Sequence, residues 1–161
     1  MASARDVFAS VGFDAPLSLI ARRAGVGQGS LYRHFPDRAS LALAVFEENI
    51  AGLETRAARP DATLDDLLAE VIDQLTTSVG FIEMVDPASR DPRLLSMHRR
   101  LQRLLARKLD DSAGAVRGDI GAEDLMLALA MLAGVLSRTD VKSRPKVASR
   151  AWTLLRQGLR A

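Results

Sequence analysis

Along most of this chain apolar residues recur three and four positions apart, and no stretch alternates apolar with polar long enough to form a strand. Leu94, Leu95, Leu101, Leu104, Leu105 and Leu109 are the plainest case. Such spacing lines one face of an α-helix, so the chain is confined to folds that pack helix on helix. Glycine and proline punctuate the pattern and set the expected boundaries. Helices are expected over residues 4–11, stopped by Gly12, over 17–24, entered through Pro16 and closed by Gly25, and over 28–34, ended by Pro36-Asp37. Asp37 is placed to cap a long helix over 38–58, and Thr63 another over 64–79. Further helices are expected over 91–115, 122–137 and 146–159, with a short one between 81 and 90. The fold class is all-α, with eight or nine helices.

Composition agrees. Apolar residues make up 48% of the 161, enough for a core, while aromatics are only 4%, which favours helices over sheet. With no cysteine, disulfides, thiolate zinc sites and cysteine nucleophiles are excluded, and a reducing cytoplasm fits. The first residues, MASARDVFASVGF, hold no signal-peptide core. The longest apolar run, residues 125–136, has twelve residues against the ~20 of a membrane span. A soluble cytoplasmic protein with no membrane partner is expected. Charge is unevenly placed: residues 1–40 carry five Lys/Arg and three Asp/Glu, residues 41–89 two and ten, residues 90–161 fifteen and seven. The basic last part either meets nucleic acid or packs beside the acidic middle.

The segment LSLIARRAGVGQGSLYRHF, residues 17–35, carries the chemistry. Two helices crossing through a short turn need a small residue where their backbones approach, which Ala21 supplies, and a residue tolerant of positive φ, which Gly25 supplies. Ile20, Val26 and Leu31 provide apolar contacts between them. Gln28, Gly29 and Ser30 then open the next helix with small and polar groups, as a helix entering the major groove requires. Gln28 is the candidate base reader, since its amide matches adenine N6 and N7. Tyr32, Arg33, His34 and Arg38 are candidate donors to phosphate.

These residues resemble the tetracycline-repressor (TetR) family: RDVFASVGFDAP resembles its first helix and loop, IARRAGVGQGSLYRHF its helix-turn-helix, and PDRASLALAVFEE the start of its fourth helix. The resemblance covers residues 4–50. It implies an all-α homodimer whose N-terminal three-helix, homeodomain-like head (residues 1–40) binds half of a near-palindromic operator in double-stranded DNA. A helical body (residues 41–161) then dimerises and holds a small-molecule effector. Gln28, Gly29, Ser30, Tyr32 and His34 fall on that family's recognition helix, and Arg38 where it has a phosphate-contacting lysine. The family's first helix has about two further turns before it, so here it is expected to be cut short. The implied function is a ligand-responsive, sequence-specific repressor. The alternative is a helical homodimer that binds a small molecule or partner and carries a degenerate head.

The run LMLALAMLAGVL is apolar on every side and needs cover beyond the chain's own core. Leu129, Leu132 and Leu136, with Trp152, Leu155 and Leu159 of the last helix, are the expected dimer interface. Phe81, Met84, Met97, His98 and Met126 are the candidate effector pocket. Arg99, Arg103 and Arg107 form a basic stripe that either attracts an anionic effector or pairs with the acidic middle. The two histidines, His34 and His98, lie on separate elements, and no metal spacing or phosphate-cradling loop occurs, so no catalysis, metal or cofactor is expected.

Overall fold

The computed structural model describes residues 1–11, 15–77, 92–112 and 116–159. Among them are eight α-helices and no strand: α1 (Ala2–Val11), α2 (Leu17–Ala24), α3 (Gln28–His34), α4 (Arg38–Ala57), α5 (Leu64–Thr77), α6 (Pro92–Asp111), α7 (Ala122–Ser137) and α8 (Arg144–Leu159). Helix α1 starts two residues earlier than expected. Helix α8 starts at Arg144, which puts Pro145 in its first turn, where a missing N–H costs nothing. The short helix expected between 81 and 90, and the expected helix ends at 79 and 115, lie outside the described residues.

The local chemistry of the boundaries follows the residues. Gly25 sits at φ 67°, and behind it the Val26 amide donates to the Ala21 carbonyl at 3.0 Å and the Gly25 amide to Arg22 at 3.3 Å. This double closure needs a left-handed residue, which costs a side chain with a Cβ about 1–2 kcal/mol. Asp37 accepts from both the Ser40 amide and hydroxyl, each at 2.7 Å, and caps α4. Those two bonds hold its carboxyl below the usual aspartate range, the hydroxyl most strongly. At α5 the Thr63 hydroxyl accepts from the Asp66 amide while Asp66 accepts from the Thr63 amide, a reciprocal cap.

Helix α4 joins head to body. It packs against α1 on the head side and against α5 and α6 on the body side, burying Leu41, Ala42, Val45, Phe46, Ile50 and Leu53. Ala4, Val7 and Phe8 of α1, Ile20 and Ala21 of α2 and Leu31 of α3 belong to the same continuous apolar core. Ion pairs sit at the same junctions. Arg5 of α1 reaches Glu48 at 2.9 Å, and Arg56 of α4 reaches Glu70 of α5 at 2.6 Å. Arg100 of α6 clamps α4 by donating to both Glu54 oxygens, at 2.8 and 2.6 Å, and to Glu47 at 3.0 Å.

Helices α7 and α8 pack on α5 and α6 to close the body. Three of the residues expected at the dimer interface are already covered within one chain. Leu129, Leu132 and Leu136 are at most 1% exposed within a single chain, because they face α5, α6 and α8 and form the body's own core. The opposite face of α7 carries Leu127, Met131 and Val135, about half exposed. Spaced four apart, they make one apolar stripe.

Candidate functional site

Helix α3 is seven residues long and is held to the head chiefly by Leu31, which is buried, with Phe35 half-buried just beyond it. With those two turned inward, Gln28, Gly29, Tyr32, Arg33 and His34 are exposed together and Ser30 is half-buried. Six of the seven expected DNA-facing residues therefore share one short helix, and Arg38 follows half-buried at the start of α4. The supporting helix α2 ends in Arg22 and Arg23, which are also exposed and add positive charge beside α3. A polar, cationic helix face on a packed apolar base is what a major groove accepts: donors for phosphate at the rim and an amide for base edges in the middle.

Gly29 adds a second observation. A Cβ built there meets no atom of the protein within 4 Å. The fold does not need glycine at this position, and glycine costs a helix up to about 1 kcal/mol relative to alanine. A surface that approaches α3 closely from outside gives the small residue a purpose.

Residues 1–45 match the profile of bacterial regulatory proteins, tetR family. Over its whole length the chain is similar to the TetR transcriptional regulator SCO0520 of Streptomyces coelicolor. Identity is 34%, the match covers 99% of this chain and 95% of that one, and the TM-score is 0.69. The chain belongs to the TetR family. It is a DNA-binding transcriptional regulator with an all-α fold. Two more distant structures share the fold. CprB of S. coelicolor, solved in complex with its biological operator sequence, is 20% identical at TM-score 0.60, covering 95% of this chain and 82% of that one. The fatty acid degradation regulator FadR of Bacillus halodurans is 18% identical at TM-score 0.58, covering 99% and 97%. Among curated proteins none matches. No helix of the described residues is long and apolar enough to cross a membrane.

Of the residues expected to line an effector pocket in the body, the structure describes three. Phe81 and Met84 lie outside the described residues. Met97 and Met126 are buried core residues, His98 is half-buried, and none of the three lines a described cavity. Trp152 and Leu159, expected at the dimer interface, line a cavity of about 320 Å³ between α5, α7 and α8, and Leu155 is half-buried against the core. Two larger clefts, of about 550 and 610 Å³, lie along α4 and α5 and have charged walls whose Arg56 and Glu70 are already paired. Of the basic helix α6, Arg99, Arg103 and Arg107 are exposed, and Arg103 and Arg107 act on Glu54 only at longer range. Its close pairing with the acidic middle is made by Arg100, one position off the stripe, which the four-residue spacing did not single out.

Proposed function

We propose that the protein is a cytoplasmic, homodimeric repressor that inserts α3 of each subunit into the major groove at successive half-sites of a near-palindromic operator and leaves it when a small effector binds the body. The observation that carries this reading is the exposed face of α3, with Gln28 and an unobstructed Gly29 at its leading end. In this reading Gln28 reads a base edge, Ser30 and Tyr32 fix register, and Arg33, His34 and Arg38 neutralise phosphates. The functional head is residues 1–40, with α4 carrying its position into the body over 41–161. The protein acts by binding and has no catalytic residues.

The subunits meet through the exposed face of α7, where Leu127, Met131 and Val135 are joined by Leu154 of α8. Cβ atoms built at Gly134 and Gly158 meet nothing within 4 Å of the chain, which leaves room for a second pair of helices to approach closely. A two-fold axis through such a patch pairs it with itself and covers both copies at once. Trp152, Leu155 and Leu159 stay with their own subunit.

An unbiased selection of DNA sequences with the purified protein, followed by release of the selected duplex with candidate small molecules, tests the reading. Enrichment of a two-fold site with half-sites about one helical turn apart is expected. Recovery of random sequence would reject it.

A further inference from the structure

Three cavities of useful size open on the described surface, and the one between α5, α7 and α8 has only two charged residues in its walls, against six in each of the others. Its volume of about 320 Å³ is at the small end of ligand pockets. Leu64, Leu68, Leu125, Val116 and Leu159 form the walls, and Trp152 contributes a flat ring. The polar groups at the rim divide into two kinds. The Thr63 hydroxyl is committed to Asp66, and the Ser112 hydroxyl to the Leu109 carbonyl at 2.7 Å. Arg156 and Asp65 face one another across the rim at 4.0 Å, too far for a hydrogen bond, and both are substantially exposed. An ion pair of that length on a wet surface contributes little and is easily opened. The cavity therefore offers one apolar chamber with one cationic and one anionic group at its entrance.

Resting on the ligand-released regulator reading above, we infer that this cavity is the effector site and that it takes a small apolar zwitterion, of which an apolar α-amino acid is the simplest. The ligand's side chain fills the chamber against Trp152. Its carboxylate accepts paired N–H bonds from the planar Arg156 guanidinium. Its ammonium replaces that guanidinium as the partner of Asp65. Each charge of the pair is thus exchanged for a closer one, and no buried charge is left alone. Arg156 follows Trp152 by four residues on α8, so ring and guanidinium stand one above the other on the same face. Leu154 and Gly158 lie on the other flank of α8, so the cavity stays open when the apolar face of α7 and α8 is covered. A ligand wedged between α5 and α8 displaces α5 against α4, the helix that follows α3 in the chain and packs on α1 of the head.

Trp152 is the only tryptophan in the chain, so its fluorescence reports this cavity and no other. The full-length protein is titrated with L-phenylalanine, with 3-phenylpropanoate, which lacks the ammonium, and with 2-phenylethylamine, which lacks the carboxylate. L-Phenylalanine is expected to change the Trp152 emission and to bind at least about tenfold more tightly than either half-molecule. Arg156→Gln should weaken L-phenylalanine and 3-phenylpropanoate by about tenfold and leave 2-phenylethylamine unchanged, while Asp65→Asn should weaken L-phenylalanine and 2-phenylethylamine and leave 3-phenylpropanoate unchanged. Both side chains are at the surface, so both variants are expected to fold. No emission change with L-phenylalanine, or equal binding of the three compounds, overturns the assignment. Binding without weakened operator affinity overturns the effector role. Binding by a chain that selects no operator would sink the regulator reading and leave the pocket assignment standing.

Discussion

A methyl group at Gly29 touches nothing in the protein, and this makes Gly29 and its neighbour Gln28 separable in experiment. Gly29→Ala should stabilise the head by up to about 1 kcal/mol, because alanine is the better helix former. The same change should weaken operator binding, because the added methyl meets DNA. A higher melting temperature together with lower affinity is the expected pair of results, and unchanged affinity would show that α3 does not dock by this face. Gln28→Ala should cost about 1–3 kcal/mol at its cognate base pair and little elsewhere, read by comparing affinities for operators altered one base pair at a time. Uniform loss on every sequence would remove Gln28 from the readers. The helix-turn-helix was legible in the sequence because it needs particular small, apolar and polar residues at fixed spacing: Ala21, Gly25, Leu31 and the open start of α3 are local requirements.

At the level of elements, boundaries were legible and faces were not always so. Gly25, Asp37 and Thr63 end or begin helices through bonds to their own neighbours, so their roles could be read within a few residues. Helix α7 is different. Leu, Met, Ala and Val surround it completely, so apolar spacing carries no information about which side the chain covers, and its core residues were expected at the interface. Arg100 was hidden for a related reason: which of several arginines on α6 meets Glu47 and Glu54 depends on how α6 turns against α4. That clamp predicts a pH dependence. The Arg100 hydrogen bond holds the Glu54 carboxyl below its ordinary value near 4.5. A carboxyl lowered on folding adds stability that is fully present above its ordinary range and is lost as pH falls through the lowered value. Glu54→Gln should therefore cost about 0.5–1 kcal/mol at neutral pH, a figure reduced for solvent exposure, and the loss should shrink at acid pH. Thermal melts of both proteins from neutral to acid pH check this; curves that stay parallel would contradict it.

For the whole molecule, the described chain leaves one broad apolar face open on α7 and α8, opposite the side that packs on α5 and α6. Met131→Asp puts a charge in the middle of that face without touching the core, so the fold should survive and the dimer should not. Light scattering at micromolar concentration is expected to give the dimer mass for the native protein and the monomer mass for the variant; a native monomer would contradict the assembly. That α7 would keep apolar surface beyond the chain's own core could be read from the sequence, since a helix apolar all round has no polar side to give to water. The covering side could not, because it depends on the packing of distant helices. Head and body are joined through α4, so the DNA-facing helices and the body share one connected core. The direct test of that account is the affinity of the native protein for its selected operator against a scrambled duplex of equal length at the same physiological salt. A ratio of at least about 10³, abolished when the two half-sites are moved apart by half a helical turn, is predicted. Equal affinity for the two duplexes would contradict it.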